Sequence, residues 1–567
     1  MNYQEYFKKE LFKIIKELSA ADNICVEHLE NKFSIEVPNK PEFGELSSNL
    51  AMISSKLFKL SPRKLAERIS NKLKDNKYIK KIQIDGPGFI NLFLKSVFWQ
   101  NQLRVLSEKV NIYNYDIDKK KICIEFVSAN PTGLMHIGHA RGAVLGDVIA
   151  SILEEVGHDV CREYYINDAG EQIKKLISTI KYHIDKKKTD NLPSDLYPGE
   201  YLKEISHKLK LDSSNKKSLS DNVVNSVMKD IKYDLDSIQI SHDRYISEKK
   251  LASEENITQL KDILKKLEIS YLGYQDEPDS SNKTNWKKEK MLLFKSKQFG
   301  DDKDRALIKP NGELTYFMTD IIYHLNKIKR EFDELINIWG ADHSGYVSRL
   351  KNVIKQIANK EIRFEVLLTG LVNLYDDKMP IKMSKRSGTF ITMREVVQKV
   401  GSDALRFMMI SRDVNQTIDF DFKIVKKQNK DNPVFYVQYA YARCMSLIRI
   451  FEKTFDNKKT DFKDLDYNLE NLVLSEEIDI IKTLSNFHNI ILLSANYYEP
   501  HRVTNYLQTL ARIFHNYWGL GRVDPNLKII IEKNYELSKS RIFLVKSISE
   551  IIKKGLRILK ISCPESM

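Results

Sequence analysis

Cysteine is scarce and scattered. Cys25, Cys123, Cys161, Cys444 and Cys563 are the whole set, and no two stand at CxxC spacing. An odd, dispersed set argues against a zinc ribbon and against the disulfide framework of a small secreted protein. The expectation is therefore a reducing, cytoplasmic compartment and no protein-bound structural metal. Long apolar runs are missing too. No stretch approaches the roughly 20 apolar residues that cross a bilayer. Residues 1–20 mix Glu and Lys with apolar residues at helical spacing, unlike a signal peptide. No segment recurs at a fixed period, which sets aside solenoids and propellers.

Apolar residues make up 42% of the 567, enough for several cores. At roughly 150 residues per domain, that length points to about three or four domains. Lys and Arg total 91 against 77 Asp and Glu, a formal charge of +14. Such an excess fits a polyanionic partner, although a chain rich in lysine throughout reaches the same balance without one.

Residues 1–112 read as a small α+β unit. Helices are expected over 3–20 and 62–74, the second capped by Ser61, and strands over 82–84 and 89–94 around Gly86-Pro87-Gly88. Residues 110–120 read as a linker. From 113 to 395 the pattern is α/β. Residues 121–127 alternate like a strand, 128–138 form a turn, 139–156 carry helical spacing, Gly157 stops the helix, and 159–166 form a second strand. This βαβ unit begins a Rossmann-type, doubly wound, mostly parallel sheet. Residues 172–301 are charged and lysine-rich, with the basic run 186–188, and read as an insertion whose basic runs are first of all solvated surface. The alternation resumes with a helix over 315–328, a strand over 334–339, a helix over 347–358 and a strand over 363–368. A polar loop occupies 376–388. From 396 to 567 the expectation is an all-helical bundle.

Two elements carry chemistry. The turn after the first strand runs Ser128-Ala129-Asn130-Pro131-Thr132-Gly133-Leu134-Met135-His136-Ile137-Gly138-His139. A turn that opens a helix presents free N–H groups and a positive dipole end to a phosphate. His136 and His139 can meet one ligand, and Gly138 lets a flat base or ribose approach. The second element is Lys382-Met383-Ser384-Lys385-Arg386-Ser387-Gly388, whose cations and small hydroxyl residues would clamp an anion. Taken alone, such a string is more often a solvated basic loop.

Together these stretches resemble the HIGH and KMSK signatures of class I aminoacyl-tRNA synthetases, and the chain as a whole resembles the arginyl-tRNA synthetases. The resemblance is carried by residues 128–133, Tyr165-Ile166-Asn167-Asp168-Ala169-Gly170, Gly340-Ala341-Asp342-His343, Asp403-Ala404-Leu405-Arg406-Phe407, the run 432–440 and the closing 563–567. Gly133 before the HIGH motif and an intact Lys385 match the branch with the ordinary loop. The N-terminal unit, with Phe43-Gly44-Glu45, resembles the family's extra domain that contacts the tRNA elbow.

The resemblance implies a reaction and partners. L-Arginine would be activated by ATP, taken with Mg²⁺, to an adenylate and passed to tRNA(Arg), with a monomer as the family default and no membrane association. Arginine-dependent pyrophosphate exchange would need tRNA. His136, Gly138, His139, Lys382, Met383, Ser384 and Lys385 would bind ATP, with the two histidines and two lysines acting in catalysis. Ser128, Asn130, Tyr316, Asp320 and His343 would bind arginine, Tyr316 and Asp320 sharing a helix face four residues apart. By spacing alone, Tyr316 in a core and Asp320 beside a surface lysine is the simpler arrangement. A guanidinium does, however, call for a carboxylate. The C-terminal bundle would read the anticodon by stacking. Tyr436, Tyr439, Tyr441, Tyr506 and Trp518 are the candidates, against the ordinary alternative that they are core.

Other readings fit less well. A cysteine-specific relative would need a Cys/His zinc cluster, and a glutamate-specific one cations in place of Asp320. A small nucleotidylyltransferase would lack the long terminal regions. A catalytically dead RNA-binding relative would not need His136, His139, Lys382 and Lys385. If Lys385 neutralises the leaving pyrophosphate, Lys385→Ala should lose roughly 2.7–4 kcal/mol of transition-state stabilisation, measured as kcat for adenylate formation.

Overall fold

The computed structural model describes residues 3–38, 40–109, 115, 117–185, 193, 195–211, 218–275, 289–381, 391–455 and 467–567. Residues 110–114 and 116 of the expected linker, the basic run 186–188 and the loop residues 382–390 lie outside them.

The helix Tyr3–Ala21 buries Phe7, Leu11, Ile14, Ile15 and Leu18, one stripe at helical spacing. The helix Pro62–Leu73 starts with a proline in its first turn and the Ser61 hydroxyl accepting from Lys64 N. Both pack on a four-stranded antiparallel sheet. Its spatial order is Ile35–Glu36, Leu46–Ser48, Phe89–Leu94, Ile79–Asp85. The helix Ser96–Lys109 leads away from it.

The central sheet has five parallel strands in the order Arg363–Thr369, Glu334–Gly340, Lys121–Glu125, Asp159–Ile166, Arg244–Ser247. Alternation along each strand covers both faces. Ile122, Ile124, Ile336 and Ile338 join the core with the helix Ile137–Val156. Cys123 and Leu335 point to the other core, with the helices Tyr316–Lys329 and Ser344–Ile357. The chain winds outward from Lys121–Glu125 in one direction and then returns on its other side. The strand order therefore reverses between Lys121–Glu125 and Glu334–Gly340, the place where open α/β sheets hold their ligands.

Two elements differ from the expectation. Arg244–Ser247, inside the stretch read as an insertion, is the edge strand of the central sheet. It is only four residues long and partly polar, so it carries too little alternation to be seen. Ile418–Asp421, in the stretch read as helical, is a strand parallel to Val372–Asp376, which also pairs with Met379–Pro380. The 172–301 stretch further holds the antiparallel strands Ser270–Tyr274 and Lys290–Phe294, continued by Arg305–Ile308. The C-terminal bundle consists of Pro433–Thr454, Ser475–Ser485, Phe487–Tyr497, His501–Val523 and Tyr535–Ile558. Its helix Phe487–Tyr497 packs against Ile137–Val156.

Ile137–Val156 ends at Gly157, whose φ of 111° closes the helix in the left-handed region. Within it, Gly146 sits against Phe126, which continues the chain beyond the strand Lys121–Glu125. A Cβ at Gly146 would lie 2.2 Å from the first ring carbon of Phe126 and 2.5 Å from its Cβ. Alanine favours a helix over glycine by about 1 kcal/mol, but overpacking costs about 1–3 kcal/mol, and the clash is with the root of a buried ring. Gly146→Ala should therefore lower the thermal midpoint. A midpoint that rises would show that the ring can withdraw.

Candidate active site

The chain leaves the strand Lys121–Glu125 through two left-handed residues, Val127 at φ 69° and Ser128 at φ 40°. For a β-branched valine this is strained, and such strain survives only where neighbours hold it. They do. The Ser128 hydroxyl donates to Glu125 Oε1 at 3.1 Å and accepts from Tyr165 N at 3.1 Å. Glu125 in turn takes the Lys327 ammonium at 2.7 Å, and Lys327 also donates to Asn337. Ser128 thus joins the ends of two neighbouring strands. The Asn130 amide donates to Gln172 at 2.8 Å on the rim.

His136 is the N-cap of Ile137–Val156. Its Nδ1 accepts from Gly138 N at 3.1 Å, and its own N–H donates to His139 Nδ1 at 3.2 Å, a reciprocal capping box built from two imidazoles. The rings lie 3.9 Å apart. Because each Nδ1 is an acceptor, a neutral ring carries its proton on Nε2, so each offers an N–H donor. A Cβ at the exposed Gly138 would crowd the His136 ring at 2.9 Å.

Lys382, Met383, Ser384 and Lys385 lie outside the described residues, but both ends of their loop are placed. It departs from the hairpin of Val372–Asp376 and Met379–Pro380, where Ile381 N donates to Leu374 O at 2.8 Å. It returns beside the histidines. Thr392 bridges His136, Ile391 O accepts from Ile137 N, and Met393 N donates to Met135 O at 2.9 Å.

Three acids, Glu125, Asp320 and Glu248, lie near one another. Asp320 accepts the Tyr346 hydroxyl at 2.6 Å. Although part of its surface remains accessible, protein encloses the carboxylate, and this desolvation pushes its pKa up to about 7; Glu125 and Glu248 add to the rise, while Tyr346 and Lys327 oppose it. Glu248 is buried, and desolvation raises its pKa as well, with Tyr165 and Thr319 within hydrogen-bonding reach. Among the described residues no Lys or Arg pairs with Asp320 or Glu248. Two enclosed acids in this state suit a cationic ligand that brings its own hydrogen bonds.

Tyr316 is 63% exposed, so it does not pack in a core as spacing alone allowed. It stands in the first turn of the Asp320 helix, with its hydroxyl close to Gly170. His343 is exposed, 3.8 Å from the Asp342 carboxylate, and its ring is 6.0 Å from Trp339. The sequence reading missed Glu125, Tyr346 and Glu248. Glu125 and Tyr346 adjoin recognised motifs, but Glu248 lies in the stretch set aside as an insertion.

In the bundle, Tyr436, Tyr439 and Trp518 line a cavity of about 740 Å³. Arg443 lies 3.7 Å above the Trp518 ring and Arg522 4.1 Å from it. Tyr441 and Tyr506 are buried, at 3% and 7% exposure, so these two candidates are core residues. Their helical spacing served packing.

Three family models match successive parts of the chain. "Arginyl tRNA synthetase N terminal domain" covers residues 2–94, "tRNA synthetases class I (R), catalytic domain" 102–423 and "DALR anticodon binding domain" 437–567. The arginine–tRNA ligase of Wolbachia pipientis wMel is 40% identical over 546 residues, covering 94% of each chain. That of Ehrlichia ruminantium (strain Welgevonden) is 41% identical over 557 residues, covering 95% of each. The solved arginyl-tRNA synthetase of Thermus thermophilus shares the fold, with a TM-score of 0.71 over all of both chains at 17% identity. A class I catalytic domain over more than half the sequence, together with full-length relatives at this identity, places the chain in the arginyl-tRNA synthetase family.

Proposed function

We propose that this arginine–tRNA ligase activates L-arginine in the acidic pocket and carries out phosphoryl chemistry at the histidine corner beside it. The observation that carries the reading is the pair Asp320 and Glu248, enclosed acids without a salt-bridge partner among the described residues.

Arginine enters with its guanidinium toward Asp320 and Glu248. Tyr346 holds Asp320 in orientation, and Tyr316 covers the ligand from the helix start. Glu125 and Ser128 keep the strained turn in place, so that Asn130 can meet the α-amino and carboxylate end. His343 stands at the pocket's outer side. The arginine carboxylate attacks the α-phosphorus of ATP and pyrophosphate leaves. The Nε2–H groups of His136 and His139, at the positive end of the helix dipole, stabilise the charge on the phosphate oxygens. Gly138 leaves room for the nucleotide. Lys382 and Lys385, with Met383 and Ser384 between them, fold over the leaving pyrophosphate. Mg²⁺ would arrive on the triphosphate. The 2′-hydroxyl of the tRNA's terminal ribose then attacks the adenylate carbonyl, giving arginyl-tRNA and AMP.

We further infer that residues 1–112 meet the tRNA elbow, that 113–395 is the catalytic part, and that 396–567 reads the anticodon with Tyr436, Tyr439 and Trp518 as stacking surfaces. A monomer in the cytoplasm fits this reading. Among the described residues no helix is long and apolar enough to cross a membrane.

Asp320→Ala should abolish arginine-dependent adenylate formation while ATP still binds; normal charging by that variant would remove Asp320 from the pocket. The pH dependence has a definite sign. With a pKa of about 7 in the empty site, Asp320 is neutral below that pH and pairs poorly with a guanidinium. Arginine affinity should thus weaken by about tenfold per pH unit below 7, until the lower pKa of the bound acid is reached, and be flat above pH 8. Asp320→Asn should lose this slope. Isothermal titration between pH 5.5 and 8.5 decides it, and a level profile in the unmodified protein would refute the assignment.

A further inference from the structure

The helix Ile137–Val156 carries a second charged feature far from its capped end. Asp147 is fully buried in its middle. Arg406 Nη2 donates to one carboxylate oxygen at 2.7 Å and Lys560 Nζ to the other at 2.6 Å, with Arg162 Nε 3.6 Å away. Arg406, itself fully buried, also donates to Ile238 O at 2.6 Å and Leu559 O at 3.0 Å. One guanidinium therefore joins this helix to the approach to the edge strand and to the end of Tyr535–Ile558. Its neighbour Asp403 accepts from Gln438 at 2.9 Å and Ser562 N at 3.1 Å. Within the run 403–407, Asp403 and Arg406 thus hold residues 559–562.

Lys560 follows the final helix with φ 52°, a conformation in which glycine is the residue of least strain. Glycine, however, has no ammonium to reach Asp147. A second ion pair, Lys554 to Glu155 at 2.7 Å, lies further along the same helix. Near its start, Arg141 donates to Leu371 O at 3.3 Å and Asp413 O at 2.8 Å. Apolar contacts hold a helix against its neighbours but fix its axial position weakly. A buried carboxylate with two cations from distant segments tolerates no such slide, because any shift leaves a charge unpaired.

We infer that Asp147 is a positioning residue. Through Arg406 and Lys560 it sets the axial position of the helix that presents His136 and His139, so that the C-terminal bundle and the triphosphate site are held in one register. This rests on the reading of His136 and His139 given above.

Lys560→Gly tests it, because glycine keeps the backbone conformation and removes the side chain that carries the ammonium. The measurements are arginine-dependent ATP–pyrophosphate exchange at saturating tRNA, tRNA affinity by filter binding, and thermal melting. Lys560→Gly should lower kcat by about tenfold, with KM for arginine and ATP, tRNA affinity and the melting midpoint close to those of the unmodified protein. Lys560→Arg should recover most of the rate, and Asp147→Asn, where it folds, should lose more. Unchanged kcat in Lys560→Gly overturns the inference. So does a loss that appears together with a lower midpoint and raised KM values, which would mark a purely structural ion cluster. His136→Ala, run alongside, separates the two readings. Full exchange in that variant defeats the active-site assignment, whereas its loss combined with a normal Lys560→Gly defeats only the positioning role.

Discussion

An enclosed carboxylate without a cation is a poor ion, and the rest of the catalytic centre is arranged around two of them. Glu125 and Glu163, in register on neighbouring strands, have protein partners in Lys327 and Arg330. Asp320 and Glu248 receive hydroxyl neighbours but, among the described residues, no salt-bridge partner. Glu125 and Glu163 hold the scaffold, and under the proposed function Asp320 and Glu248 would take a ligand that is planar, permanently charged and rich in donors. A neutral side chain of similar length would leave both acids unpaired, a penalty that discriminates more strongly than a fit of shape.

The adjoining phosphate corner depends on a helix that is held along its whole length. Its first turn is closed by two imidazoles that cap each other, so the rings present donors while the backbone is satisfied. Its middle is pinned by Asp147 and its later part by Glu155. The return of the cationic loop is stitched to the same turn through residues 391–393. Gly146 lets this helix lie directly on Phe126, tying the helix to the strained turn that carries Ser128 and Asn130.

Much of this was legible beforehand, for reasons of pattern. The strand over 159–166 and the helix closed by Gly157 were readable because both faces of that βαβ unit are buried and its stop is a left-handed glycine. Ser61 acts as the N-cap its hydroxyl advertised. Arg244–Ser247 was hidden because a four-residue edge strand with a polar start carries no period. Tyr441 and Tyr506 looked like their neighbours Tyr436 and Tyr439, since helical spacing does not say which face meets water.

Residue order alone determined the elements that are local: the capped helices, the alternating strands, the histidine turn and the basic loop, whose physical signals lie within a few residues of one another. Tertiary structure decided everything that joins distant segments. It brought Glu248 and Tyr346 to Asp320, placed residues 391–393 against His136, and sent Lys560 to Asp147. Such pairings have no period to read, because a charge finds its partner through the packing of whole elements, and only the folded chain reveals which acids were paired with which cations.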